Sequence, residues 1–217
     1  MCGRYVAPDG TLIEGVISER HWLPSSPVIK VPNINYNASP SQFVPIITPK
    51  GPKLARFGLL PEWAKDFKYT MINAMAETLE EKRTYKGLLQ DNRCLVPALG
   101  YYEWHQTGDS KQPYYFSLKD RKVFMLAGLY TSRTDPDDYE SFSFTIITCQ
   151  PNSLQKPIHN RMPVVLEKQH EEIWLSGEKD SALDLLAPYP SEEMQVWKVG
   201  NSVGSPKNNN ADLIKAV

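Results

Sequence analysis

The chain has 217 residues, 41% of them apolar, with 24 Lys and Arg against 25 Asp and Glu and a formal net charge of −1 at pH 7. A chain of this length buries most of its surface without disulfides or a structural metal, and no apolar run reaches the ~20 residues of a membrane-spanning helix. The opening Met1-Cys2-Gly3-Arg4-Tyr5 lacks the apolar segment of a secretory signal, so one cytosolic domain over residues 1–217 is expected.

Eighteen prolines against twelve glycines disfavour a helical bundle. Leu12, Ile13, Val16 and Ile17 recur at helical spacing and predict a helix over Thr11–Arg20, followed by a loop from Leu23 to Pro40. Strands are predicted over Phe43–Thr48 and Lys53–Leu60, with the turn residues Pro49, Lys50, Gly51 and Pro52 between them. Glu77–Gln90 reads as a charged helix that buries Leu79, Tyr85, Leu88 and Leu89. Four strand-like runs follow, Arg93–His105, Gln112–Lys119, Lys122–Tyr130 and Phe142–Cys149, separated by Gly- and Asp-rich turns in the manner of an antiparallel meander. A strand over Met162–Leu166, helices over Lys168–Leu175 and Ser181–Leu186, a last strand over Met194–Val199 and a loop-like tail over Gly200–Asn210 complete the pass. The expected class is α+β, a curled antiparallel sheet or barrel with peripheral helices.

Charge is unevenly placed. Glu167–Glu193 holds eight acidic and two basic residues, which leaves the rest of the chain at +5. A polyanionic partner is therefore compatible with the near-neutral total if those basic residues share a face. The three cysteines, at 2, 94 and 149, have neither disulfide nor zinc spacing. Cys94 and Cys149 read as small buried hydrophobes.

Cys2 differs because loss of Met1 would give it both a free α-amine and a thiol. Such a 1,2-aminothiol condenses with an aldehyde to an imine, and the thiol then closes a five-membered thiazolidine. With a reference pKa of about 7.7–8.0, roughly a tenth of an α-amine is neutral at pH 7, against ~0.04% of a lysine. The competing reading of Cys2 is an ordinary frayed end. Three further groups stand out. Asn73, in Ile72-Asn73-Ala74-Met75, could cap the following helix or orient the Cys2 amine or a substrate. Glu103 lies between Tyr102 and Trp104, whose rings would desolvate it and suit it to acid/base work. His159, beside Arg161 at a loop–strand junction, is a second acid/base candidate, although a lone histidine is more often structural.

At these residues the sequence resembles the SRAP (SOS response-associated peptidase) family, in its bacterial form, over essentially the whole chain. The resemblance is carried by Cys2-Gly3-Arg4, Tyr36-Asn37 with Pro40, and Phe57-Gly58-Leu59 with Pro61 and Trp63. It continues through Asn73-Ala74 with Glu77-Thr78, Gly100-Tyr101-Tyr102-Glu103-Trp104, Thr148, Ile158-His159 with Arg161 and Pro163, and the tail residues Val203, Lys207-Asn208 and Ala211-Asp212-Leu213-Ile214.

The resemblance implies covalent capture of abasic sites in single-stranded DNA. Cys2 would be the nucleophile after Met1 removal, Asn73 would hold Cys2 and the sugar, Glu103 would serve acid/base steps including crosslink reversal, and His159 would handle the proton on the sugar oxygen. Arg4, Arg83 and Arg161 would contact phosphates, Trp63 would part the bases, and Asn37, Pro40 and Thr148 would line the groove. No cofactor, metal or membrane is implied, and a monomer is expected, nucleoid-associated when bound to DNA. The family name also carries a peptidase role, for which removal of Met1, by the Cys2 site or by an aminopeptidase, is sufficient.

One departure is plain: Met75 stands where the family usually has an arginine, which removes a phosphate contact and flattens the salt slope by about 0.7 for a single strand. Two rival readings are an N-terminal-nucleophile amidohydrolase, whose Gly-His-x-Arg run is missing here, and a non-catalytic single-strand binder in which Cys2 is dispensable.

Overall fold

A computed structural model describes residues 2–24, 29–64, 69–134 and 140–217. Its centre is a closed five-stranded barrel. The strands are β3 (Phe43–Thr48), β4 (Gly51–Phe57), β6 (Arg93–Ala98), β9 (Phe124–Thr134) and β10 (Glu140–Cys149), and the pairing runs β10-β4-β3-β6-β9 and back to β10. Three short strands extend it: β5 (Asn73–Met75) and β11 (Met162–Pro163) pair with β10, and β12 (Val165–Leu166) pairs with β9. A second sheet has the order β13-β8-β7-β1-β2, made of β13 (Met194–Lys198), β8 (Ser110–Leu118), β7 (Gly100–Thr107), β1 (Tyr5–Ala7) and β2 (Asn35–Ala38).

Strand alternation assigns the two faces of the second sheet. Tyr5, Ala7, Tyr101 and Phe116 face the barrel and join the main core, where Tyr5 meets Phe57 edge-on at 5.6 Å and Phe57 stacks on Phe144 at 5.2 Å. Val6, Tyr102 and Tyr115 point the other way and pack with Val199, Val203 and Leu213 under the C-terminal tail. The helices α1 (Gly10–Ser18), α3 (Glu171–Ser176) and α4 (Lys179–Leu183) are peripheral. Arg20, just past α1, is tied to buried Glu171 by Nε–Oε2 and Nη2–Oε1 contacts of 2.5 and 3.0 Å.

Several expectations change. The helix over Glu77–Gln90 does not form: the segment is a 3-10 turn over Ala76–Thr78 and one helical turn, α2 (Arg83–Lys86). The residues expected inside are buried. However, helical spacing from Leu79 lands on Lys82, Arg83 and Lys86, so no single helix face could bury all four. The run Arg93–His105 is two strands in two sheets, bent at Leu99. The loop Leu23–Pro40 contains β2, its residues 25–28 lying outside the described ones. β1 was not predicted at all, being too short to show alternation. The barrel sheet is not wholly antiparallel, because β10 runs parallel to β4 and β5. The tail folds into 3-10 turns over Asn201–Gly204 and Ala211–Ile214 that bury Val203 and Leu213.

The bend between β6 and β7 delivers the chain from the barrel to the outer sheet, and it requires Gly100. A Cβ there would lie 2.2 Å from the ring of Tyr115 and 2.6 Å from the Phe116 carbonyl oxygen. Gly100→Ala is expected to destabilise the fold by about 1–3 kcal/mol or more through overpacking. Urea denaturation checks this, and unchanged stability would contradict it.

Candidate active site and nucleic-acid interface

The site is assembled by the N-terminal strand. Residues 4–6 pair with β7, with Tyr102 N–H donating to the Arg4 carbonyl at 3.0 Å and Leu99 N–H to the Val6 carbonyl at 2.9 Å. That pairing carries Cys2 between barrel and sheet, where it is fully buried. On the barrel side, Asn73 opens β5 and its Nδ2 donates to the Cys2 carbonyl at 3.0 Å and to the Ile146 carbonyl at 3.3 Å. Two carbonyl acceptors fix the amide orientation and turn Oδ1 inward. That oxygen is buried without a hydrogen-bond partner among the described residues. Asn73 is thus a strand residue and caps no helix, since the turn after it begins from Met75 with no side-chain cap.

Glu103 stands on β7 and is 2% exposed. Its sequence neighbours do not bury it: alternation sends Tyr102 to the opposite face, into the second cluster, and Glu103 shares its face with Tyr101. Burial there pushes the carboxyl up to about 7. Burial, and then the negative charge of Glu103, also push the Cys2 thiol up, so it is held protonated at neutral pH. His159 lies across from them, Nε2 at 3.9 Å from Glu103 Oε2. Nδ1 lies 3.0 Å from the Arg161 N–H and 3.1 Å from the Arg161 carbonyl oxygen: accepting from the first leaves the neutral ring's proton on Nε2, and donating to the second places it on Nδ1 and frees Nε2 as an acceptor on the Glu103 side. Burial lowers the His159 pKa and favours the neutral ring.

A cleft of about 640 Å³ opens above these groups, lined by Gly3, Arg4, Pro40, Glu103, Trp104, Gln106, Lys111, His159 and Gly204. Arg4 is braced by Nη1 bonds to Asn37 Oδ1 and the Val203 carbonyl, both 2.8 Å, and its guanidinium lies 5.9 Å from the Trp104 ring centre. Asn37 is not among the residues that line this cleft. It is fully buried, and its Nδ2 donates to the carbonyls of Val203, Ser205 and Asn208, latching the tail against β2. A second cleft, of about 500 Å³, holds Trp63 and Arg83 with Thr84, Asn92 and Thr131. Trp63 is 53% exposed and meets Tyr69 edge-on at 5.1 Å.

Arg161 is held by the protein itself. Its two terminal nitrogens donate to Glu77 Oε1 and Oε2 at 2.7 and 2.8 Å, and Nη2 also donates to the Thr148 carbonyl at 2.6 Å. The hydrogen bonds from Arg161 hold the Glu77 carboxyl down at about 2. Thr148 is buried, with Oγ1 donating to the Ala74 carbonyl. Thr148 and Arg161 therefore form a clamp beside β5, while Met75, in register with Thr148, is exposed. The sequence reading gave no role to Glu77, Tyr101, Gln106 or Lys111. Glu77 and Tyr101 had a signal in their places within the Asn73–Thr78 and Gly100–Trp104 motifs, but Gln106 and Lys111 had none. Among the described residues, no group of three or more His, Cys, Asp or Glu could hold a metal ion, and no helix is long and apolar enough to cross a membrane.

The sequence model of one family, SOS response associated peptidase (SRAP), matches residues 1–206. The chain belongs to the SRAP family. It is similar to the abasic site processing protein YoaM of Bacillus subtilis, with 41% identity over 192 residues covering 84% of this chain and 85% of that protein. It is also similar to the abasic site processing protein YedK of Escherichia coli, at 29% identity over 84% of each chain. A crystal structure of a protein from Bacteroides thetaiotaomicron superposes with a TM-score of 0.82 at 28% identity, over 98% of this chain and 99% of the other. The SRAP-type α+β fold read from the sequence is the one observed.

The raised Glu103 carboxyl has a measurable consequence. A folded pKa near 7 against about 4.3 when unfolded favours folding fully below pH ~4, and that contribution is lost as pH rises through ~7. Glu103→Gln, neutral at every pH, is therefore expected to match the wild type near pH ~4 and to exceed its stability by about 1–3 kcal/mol near pH ~8–9. Urea denaturation across that range checks it, and superimposable curves at high pH would contradict it.

Proposed function

We propose that this protein captures abasic sites in single-stranded DNA by forming a thiazolidine between Cys2, freed of Met1, and C1′ of the ring-opened sugar. The observation that carries this reading is the burial of Cys2 against Asn73, Glu103 and His159. The thiol is held protonated, so the α-amine is the stronger nucleophile at neutral pH. Asn73 keeps an unmatched buried acceptor, Oδ1, beside the Cys2 backbone, suited to an amine N–H or a sugar hydroxyl.

The steps balance without a cofactor. In the tautomer whose Nδ1–H faces the Arg161 carbonyl, His159 Nε2 takes the proton of the C1′ hydroxyl and returns it to the ring oxygen as the sugar opens to the aldehyde, so that step needs no net proton. The neutral amine adds to C1′, and the resulting carbinolamine loses one water to give the imine. The thiol then adds to the imine carbon, its proton going to the nitrogen by way of Glu103, and the ring is closed. The net change is sugar aldehyde plus aminothiol giving thiazolidine plus one water. Glu103, with a pKa near 7, can take and return protons at neutral pH, which also suits it to reversal of the crosslink and to a lyase-type strand scission from the imine.

Arg4 at the 640 Å³ cleft, with Lys111, offers phosphate contacts, and Trp63 with Arg83 at the second cleft offers a stacking surface for bases. Arg161 reaches phosphate only by exchanging Glu77 for it. The lack of charge at Met75 means that the neighbouring clamp receives no second arginine. Met1 removal is the one peptide-bond cleavage the mechanism needs. A protonated, deeply buried thiol weighs against the amidohydrolase reading, which needs sulfur as the first nucleophile.

The test is a series at Cys2 with an oligonucleotide bearing one abasic site. Wild type is expected to give an adduct that survives denaturing gels without borohydride. Cys2→Ser should form an imine that accumulates as a stable adduct only when borohydride is added. Cys2→Ala should show the same borohydride requirement, through the amine alone, while binding intact single strands as wild type does. A stable adduct in Cys2→Ala, or none in wild type, would overturn the proposal.

A further inference from the structure

Gln155 lies outside every motif of the sequence, yet its side chain is fully buried, which is uncommon for an amide. Both ends of that amide are engaged. Tyr101 Oη donates to Gln155 Oε1 at 2.5 Å, and Gln155 Nε2 donates to the Arg161 carbonyl at 2.6 Å. Chemistry fixes this orientation: a carbonyl only accepts, so the NH₂ end must face Arg161, which leaves the oxygen for the tyrosine hydroxyl. The backbone of Gln155 is engaged too. Its carbonyl accepts from Ile158 N–H at 2.8 Å and His159 N–H at 3.0 Å, and its own N–H donates to Asn152 Oδ1 at 3.0 Å.

These bonds connect the two segments that bear the acid/base pair. Tyr101 and Glu103 are two residues apart on one face of β7. His159 is the last residue of the turn that the Gln155 carbonyl closes. Arg161, whose N–H and carbonyl both reach His159 Nδ1, is held through its carbonyl by the same amide. We propose that Gln155, together with Tyr101, is a positioning residue that sets the distance and ring orientation of His159 relative to Glu103. This rests on the reading that the pair moves protons during abasic-site capture.

An amide suits the task because its plane is rigid and its donor and acceptor point in opposite directions. Displacement of the loop from β7 stretches the bond to Tyr101, and the bond to Arg161 carries that strain to the residues beside His159. An apolar side chain of equal length would leave the Tyr101 hydroxyl and the Arg161 carbonyl buried without partners, and the loop would have to move to rehydrate them. Burial pushes the Tyr101 phenol well up, so it remains a donor throughout the working pH range. The 3.9 Å separation of His159 and Glu103 is longer than a closed hydrogen bond. The turn and Gln155 hold the backbone that carries the ring, and the Arg161 N–H and carbonyl lie 3.0 and 3.1 Å from its Nδ1.

The variants are Gln155→Met, Tyr101→Phe and the pair combined. At saturating abasic oligonucleotide, Gln155→Met is expected to form the adduct about 10–100-fold more slowly, as for a misplaced catalytic group. Affinity for an intact single strand should be unchanged. Tyr101→Phe should lose less, and the double variant should be no slower than Gln155→Met alone, since both act through one device. The ring ¹⁵N shifts of His159 in DNA-free protein should change from a single tautomer to a mixture in Gln155→Met. A merely structural role would move thermal stability but neither the tautomer nor the rate per folded molecule.

Wild-type rate with an unaltered tautomer in Gln155→Met, or losses that multiply in the double variant, would overturn the proposal. Should Gln155→Met fail to fold, Tyr101→Phe carries the same readouts. Should wild type itself form no adduct, the capture reading fails, and the tautomer measurement still decides the positioning role.

Discussion

The structure turns on the pairing of residues 4–6 with β7. Two backbone hydrogen bonds, from Tyr102 to Arg4 and from Leu99 to Val6, draw the start of the chain between barrel and sheet and leave Cys2 no exposed surface. A terminus is ordinarily the least ordered part of a domain. Here it is a strand, and its neighbours are chosen by register: the strand partner two residues from Tyr101 is Glu103, and the barrel strand on the other side begins with Asn73. The Gly100 bend has the same purpose, since β7 reaches the outer sheet only because the backbone passes hard against Tyr115.

Electrostatics follow from that burial. The thiol of Cys2 and the carboxyl of Glu103 are pushed up and the imidazole of His159 is pushed down, each chiefly by desolvation. Where desolvation outweighs the pull of nearby charge, groups stay near neutral, and neutral groups within reach of one another can exchange protons with little reorganisation. A charged pair, Arg161 with Glu77, stands close by at the rim, where the Glu77 carboxyl is held down at about 2. The two regimes meet at Arg161, whose side chain belongs to the ion pair and whose backbone belongs to His159.

Much of the fold was legible in the sequence where a short apolar run met clear turn residues, as at Phe43–Thr48, whose strand has those same bounds. Legibility failed where a tertiary contact decided the outcome. Residues 77–90 have the composition of a helix but not its spacing, and the apolar positions are satisfied by turns packed on the barrel. β1 and β2 are too short for any periodic signal. Among the site residues, Cys2, Asn73, Glu103 and His159 were picked out separately by their chemistry and come together in space. The reason first given for the environment of Glu103 was wrong, because Tyr102 faces away from it. Asn37 and Thr148 were read as groove residues and are buried in the scaffold. Gln155 carried no signal because its role exists only through partners that are distant in sequence.

Thiazolidine capture requires that both functional groups of one residue become bonded to the sugar. Intact-mass measurement of the protein with an oligonucleotide containing a single abasic site addresses this directly. The predicted species has the mass of protein lacking Met1 plus oligonucleotide minus one water, and it yields no free thiol at Cys2 after proteolysis. An adduct that retains Met1, or one whose N-terminal peptide still alkylates at Cys2, would contradict the account.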